Sequence, residues 1–325
     1  MTRLGYQIPN FTYPGVDSAG LFDVVAMQAA AADRSGFDTV LLMDHFYQLP
    51  HIGNPDANML ECYTALGALA RETKTARLSA LVTGNTYRNP ALLAKIVTTL
   101  DIVSGGRAQL GIGAGWFEFE HDSLGFEFGT FTDRFEKLEE ALQIILPMLR
   151  DETPSFDGKH YTVKDAINHP VPVGRIPVMI GGSGEKKTLR MAAQYADESN
   201  LTSPPTELPH KLDVIAAHCE RLGRDRGTLT VSQHINVVLA PTHEQAFSEL
   251  ADALARRDID LRNADDDFRQ IIETMVILGD PDEVGGRLAE IVELGAEGIT
   301  MSAPANGFIP ERVDALGEVA AKAFG

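Results

Sequence analysis

The sequence of 325 residues predicts an α/β chain folded as a (β/α)8 TIM barrel with insertions. Three observations predict it: eight short apolar runs recur along the chain, amphipathic helical stretches lie between them, and glycine-rich or polar residues follow most of the runs. Most runs are continuously apolar rather than alternating, as strands covered on both faces require. A doubly wound sheet is the alternative built from the same pieces.

The strands are expected at Leu4–Pro9, Asp38–Met43, Ala76–Thr83, Arg107–Ala114, Ile176–Gly182, Ala196–Leu201, Thr228–Ala240 and Glu297–Ser302. Between the third and fourth, Leu93, Ile96, Leu100 and Val103 fall at helical spacing, with Pro90 suited to a first turn. After the fourth, Phe135, Leu138, Leu142, Ile145 and Leu149 repeat every three or four residues, as a helix packed on a sheet requires. Residues 151–175 are rich in Pro, Gly, Asp and His and read as an excursion before the fifth strand. Residues 241–279 read as extra helices before the last unit. There Asp280-Pro281 supplies an N-cap and a first-turn proline for a helix stopped by Gly295. With no linker or repeat, residues 1–325 are expected to form one domain.

With 44% hydrophobic and 23% charged residues the composition is that of a globular protein. The formal charge of −18 repels phosphate backbones and anionic lipid, which argues against nucleic acid and membrane partners. Two cysteines without a CxxC pattern give neither a disulfide framework nor a structural zinc. The opening MTRLGYQIPNF has no signal-peptide pattern, so a cytoplasmic protein is expected.

Barrel sites lie at the carboxyl ends of strands. The second strand ends in Asp44-His45, a carboxylate beside an imidazole that titrates near neutrality and can donate, accept or transfer a proton. Spacing alone favours a turn cap and a satisfied rim residue. The stretch GIGAG, 111–115, follows the fourth strand rather than the first and reads GxGxG, so it is not a dinucleotide fingerprint. Its glycines still let a flat ligand approach closely. GGSGEKKTLR, 181–190, is a glycine-rich turn running into a helix, with Lys186, Lys187 and Arg190 behind it, and suits a phosphate group. The fifth strand's Ser183 lacks a nucleophile-elbow context. Glu118, Glu120 and His121 could in principle ligate a metal but read as a solvated helix start, so no metal is expected. The sixth and seventh strands carry Ser199, Asn200, His234 and Asn236 at their ends.

Taken together, FDTVLLMDHFYQLP (37–50), LVTGNTYRNPALLAKIVTTLDIVSGGRAQLGIGAGWFEFEH (81–121), IPVMIGGSGEKKTLRMAAQYAD (176–197) and GDPDEVGGRLAEIVELGAEGI (279–299) resemble the bacterial luciferase-like superfamily of flavin and deazaflavin oxidoreductases. The likeness is closest to the branch that uses 8-hydroxy-5-deazaflavin, coenzyme F420. The resemblance implies a homodimer that binds its cofactor at the carboxyl ends of the strands. It implies that His45 lies near the reactive ring carbon and that Asp44 contacts the cofactor. It implies a non-prolyl cis peptide at Ala80–Leu81 behind the ring, with Thr83 and the loop Gly113, Ala114, Gly115 in contact with it. Gly182, Ser183 and Gly184 match the phosphate-binding turn.

Two positions depart from the family's sugar-phosphate enzymes. Trp116 stands where they carry a proton-donating glutamate, and Leu49 where they carry an aromatic lid. The expected activity is hydride transfer between F420 and a small organic substrate, in a pocket that includes His45, Trp116 and Tyr47. The alternative is an FMN-dependent monooxygenase using reduced flavin and dioxygen, and a third reading is a non-catalytic flavin-binding barrel. An aldolase or glycosidase is disfavoured, since no lysine or carboxylate pair ends a strand.

Overall fold

The structure, a computed structural model, describes residues 3–324, so Met1, Thr2 and Gly325 of the expected domain lie outside the described residues. Eight parallel strands close into a barrel: β1 Arg3–Ile8, β2 Thr39–Leu42, β3 Arg77–Ala80, β4 Ala108–Gly113, β5 Val178–Gly181, β6 Glu198–Leu201, β7 Thr230–Leu239 and β8 Gly298–Ser302. Closure is made by β8, which pairs in parallel with both β1 and β7. All eight start within two residues of the apolar runs and seven end within two; β3 stops three residues short of the expected Thr83. Leu78, Leu110, Ile112 and Ile180 are fully buried, each contributing on the order of 1.5–3 kcal/mol.

Local signals fix the helices around the barrel. Asn89 caps the helix Pro90–Ser104 by accepting from the amides of Ala91 and Leu92, and Gly105 ends it at φ 73°. Asp280 and Glu283 form a reciprocal capping box at the start of Pro281–Glu293. The excursion at 151–175 holds a small antiparallel pair, Phe156–Asp157 with Thr162–Val163.

Two expectations are corrected. Residues 241–279 are not helical throughout: after the helices His243–Ala255 and Asp266–Met275 comes a strand, Val276–Gly279, paired in parallel with the second half of β7. At ten residues β7 outruns the barrel; its first half holds β6 and β8, and its free second half takes the extra strand. A small separate core that includes Val238, Leu250, Leu254 and Leu261 forms beneath it. The non-prolyl cis peptide lies at Leu81–Val82, one residue beyond Ala80–Leu81. The ladder with β2 still runs through Leu81, whose amide donates to Leu42 at 2.8 Å, so the chain turns only after it. Thr83–Gly84 then pairs with the end of β4.

At that turn β4 needs glycine for space. A Cβ on Gly111 would lie 2.0 Å from the carbonyl oxygen of Ala80. Gly111→Ala is therefore expected to cost about 3 kcal/mol, read as a lower urea midpoint at unchanged slope.

Candidate active site

β2 delivers Met43, Asp44 and His45 to the barrel mouth. After β4 the chain makes a short helix, Glu118–Leu124. Its Glu118 and Asp122 face solvent, but Glu120 and His121 are fully buried. The reading of this turn as solvated is thus corrected, and the cause is a ring of aromatics that the sequence disperses: Phe126 stacks on Phe46, and Tyr87 packs against His121.

Glu120 is the centre of this packing. Its Oε2 accepts from His45 Nδ1 at 2.9 Å and from the Tyr87 hydroxyl, and its Oε1 accepts from the amides of Phe46 and Tyr47. Burial pushes the carboxyl up, but the hydrogen bonds and charge of His45, with those from Tyr87 and Tyr47, outweigh it and hold the group below its ordinary value. An ionised acceptor at Nδ1 fixes the imidazole as the Nδ1–H tautomer. Nε2 has no protein partner among the described residues, and His45 lines the central cavity.

Asp44 is held otherwise. It is buried, accepts both terminal nitrogens of Arg88 at 2.6 and 2.9 Å, and accepts the Gly84 amide at 3.1 Å. Burial pushes its carboxyl up, and Arg88 and Gly84 pull it back. Arg88 also binds Glu61 at 2.6 Å, and its guanidinium lies 4.9 Å from the centre of the Tyr63 ring, whose hydroxyl meets Thr83 Oγ1 at 2.6 Å. Asp44 therefore braces the exit of β3 through an arginine that sequence reading did not single out. The RNP triplet before the helix at Pro90 was its only signal.

The cavity of about 440 Å³ is lined from β2 by His45, from the β3 turn by Leu81 and Thr83, and across the mouth by Gly182, Asn200 and His234. His234 Nε2 meets Gln7 Oε1 at 3.0 Å and Ser302 Oγ at 2.9 Å, while Gln7 Nε2 donates to the Leu81 carbonyl. The Gln7 oxygen is an acceptor, so Nε2 carries the proton and the Nδ1 lone pair is left to the cavity. Burial, with a smaller push from His51, lowers the His234 pKa from 6.5 to about 4. Between these values the unfolded ring takes a proton that the folded one refuses, so stability falls as pH drops through that window. His234→Gln is expected to remove a fall of about 2–3 kcal/mol, measured by urea midpoints from pH 6.5 down to 4.

The sequence profile of luciferase-like monooxygenases matches residues 2–298. The chain belongs to the luciferase-like monooxygenase family. Among relatives of this family, an F420-dependent glucose-6-phosphate dehydrogenase of Microbacterium testaceum is 28% identical over 281 residues, 81% of this chain and 82% of the relative. One from Mycobacterium avium is 26% identical over 294 residues, 85% and 86% of the two. Two solved structures share the fold. The coenzyme F420-dependent tetrahydromethanopterin reductase of Methanopyrus kandleri superposes at a TM-score of 0.79 with 19% identity, covering 100% of this chain and 99% of that one. An F420-dependent secondary alcohol dehydrogenase, in complex with an F420–acetone adduct, gives 0.78 with 21% identity and 98% coverage of each.

Against this luciferase-like frame, the barrel brings Asp44, His45, Leu81, Thr83, Gly115, Trp116 and Gly182 to the cavity, and Leu49 joins them. Trp116 is 57% exposed, its ring 5.8 Å from His45. Ala80, Gly113, Ala114, Ser183, Gly184 and Tyr47 do not line it. Ala80 is buried in β3, and Tyr47 packs on Phe119. Gly113 gives room to Val82, whose side chain a Cβ there would meet at 2.8 Å, and Ala114 packs against the core. Ser183 Oγ accepts the amides of Thr202 and Ser203, both at 2.9 Å, which leaves its own hydrogen to donate. The helix Thr188–Tyr195 that follows has no side-chain cap. Two of the three bases near this turn are otherwise engaged: Arg190 pairs with Glu139, and the Lys187 ammonium sits over the rings of Phe131 and Phe135. An anion here is left to backbone amides, the Ser183 hydroxyl and Lys186.

Proposed function

We propose that the chain is an F420-dependent oxidoreductase that transfers a hydride between the deazaflavin and a small organic substrate. The observation that carries this reading is the His45–Glu120 pair at the wall of a cavity whose other side carries a glycine-rich turn. The residues fit such a cofactor. Asn200 lines the cavity with Nδ2 bonded to Ser232 and Thr300, but its buried Oδ1 has no partner among the described residues, an acceptor suited to a ring N–H. Gly182, Ser183 and Gly184 would take the phosphate, and Leu81, Val82 and Thr83 would support the ring.

When bound, the cofactor supplies the hydride chemistry. The chain's part is the proton. Glu120 holds the His45 Nδ1–H, so Nε2 is free to take a proton from a substrate hydroxyl in oxidation and to return it in reduction. Glu120 does not replace the proton-donating glutamate whose place Trp116 takes: ionised, it orients His45, and His45 carries the proton. No lysine or arginine lines the cavity beside His45, which speaks against a sugar phosphate as substrate. We also take the protein to be a homodimer, which light scattering at micromolar concentration checks.

Titration of the protein with F420 and with FMN, followed by quenching of cofactor fluorescence, tests the reading. F420 is expected to bind at least about tenfold more tightly, a difference of about 1.4 kcal/mol. Tighter FMN binding together with oxygen consumption by the reduced-flavin complex would transfer the chain to the monooxygenases.

A further inference from the structure

A second cavity, of about 540 Å³, lies beside the first and shares His51, Ile52 and Asn236 with it. Its wall is mostly apolar: Leu250, Ala253, Leu254 and Ile259 from the helix His243–Ala255 and the loop after it, and Ile272 and Met275 from Asp266–Met275. This wall exists because β7 outruns the barrel and carries the inserted helices over the mouth. Of the two arginines that line it, Arg257 is spent on the loop after β2, donating to the carbonyls of Pro50 and His51 at 2.8 and 3.0 Å. Arg256 and Asp56 are exposed at its edge with opposite charges. The shared wall is neutral as well: partial burial and the neighbouring Arg257 and His45 hold His51 below its ordinary value.

Position separates this cavity from the cofactor turn. Asn10 and Thr12 follow β1, residues 51–57 follow β2, and Pro304 and Ala305 follow β8. The turn Gly181–Gly184 follows β5, opposite β1 in a closed ring of eight. A cofactor held by its phosphate at that turn would be anchored across the mouth from the second cavity. Apart from Arg256 at its edge, this cavity offers no free base to an anionic cofactor tail.

We propose that the two cavities serve one ligand: an uncharged, elongated organic substrate whose carbonyl or hydroxyl carbon reacts beside His45 while its apolar body passes His51 and Ile52 into the second cavity. The proposal rests on the hydride-transfer reading for the first half of the site and on the inserted helices for the second.

The test uses 2-alkanones from 2-butanone to 2-octanone, titrated calorimetrically into the protein with and without F420. In the wild type, affinity is expected to rise about fourfold per added methylene once the chain passes the shared wall. Ala253→Phe narrows the second cavity beside the shared wall and is expected to flatten the series to within about twofold while 2-butanone binds as before. Met275→Trp is the second variant; Met275 is 62% exposed, so the fold tolerates the change while the cavity loses volume. A flat wild-type series, a chain-length gain that survives both variants, or glucose 6-phosphate binding more tightly than 2-octanone would each overturn the proposal. Failure of F420 to bind would instead remove the hydride-transfer reading, because the ketone series without cofactor still reports on the second cavity.

Discussion

His45→Ala is expected to keep the cofactor and lose the reaction, with kcat falling about 10²- to 10⁴-fold and F420 affinity changing by less than about threefold. The two effects separate because His45 Nε2 has no protein partner among the described residues, whereas the cofactor ring would be supported by Leu81, Val82 and Thr83. Glu120→Gln sharpens the test. The amide keeps an oxygen for the Phe46 and Tyr47 amides but places an N–H toward His45 Nδ1. The imidazole must then accept at Nδ1 and carry its proton on Nε2, the wrong tautomer for taking a proton from an alcohol. Substrate oxidation is expected to fall about 10²-fold in kcat with KM little changed. A merely structural Glu120 would lower stability and leave kcat of the folded protein in place. Stability has its own signature: the Glu120 carboxyl is held below its ordinary value, so its contribution is full above that ordinary value and is lost as pH falls through the folded one. Glu120→Gln should flatten this acid limb.

The barrel was legible because most strands are continuous apolar runs ended by glycine or polar residues, a pattern that survives without knowledge of neighbours. The Asp44-His45 pair was legible for the same reason, standing at the end of one such run. Glu120 was not. The acidic residues two positions to either side, Glu118 and Asp122, are solvated, and the packing of Phe46, Tyr87 and Phe126, brought from three separate segments, buries it. A clue was available in the density of aromatics between Trp116 and Phe128, which no solvated turn needs. The strand Val276–Gly279 was hidden by a different cause. VILG is as apolar as a barrel strand, but its place in a polar, helix-rich insertion gave no period to separate it, and its partner is the overhang of a strand whose length sequence alone could not divide. The glycine-rich stretch after β5 does turn into a helix, as its residues suggest, but two of the bases that flank it, Lys187 and Arg190, are engaged elsewhere. Arg190 is tied to Glu139 across 51 positions of chain, a contact that local spacing cannot show.

Arg88→Met is expected to be the most destabilising single change near the site, costing about 3–5 kcal/mol, because it strands the Asp44 carboxylate in a buried position with only the Gly84 amide. Asp44→Asn in the same background should recover a large part of the loss, since the charge that lacked a partner is gone. Recovery by less than about 0.5 kcal/mol in this double-mutant cycle would mean that Arg88 acts through packing on Tyr63 instead. The pH dependence gives a second sign. Without Arg88 the Asp44 pKa rises further, so the folded state binds a proton more strongly than the unfolded chain, and the deficit grows as pH rises from the ordinary carboxylate value toward the folded one. A packing defect has no such slope. The functional consequence follows from Gly84, which Asp44 holds at the point where Thr83 enters the cavity. Loss of the pair frees that turn, and F420 affinity should weaken in Arg88→Met and stay weak in the double variant, even where stability recovers. Asp44 would then act on the cofactor through the backbone it braces, with Arg88 as its partner.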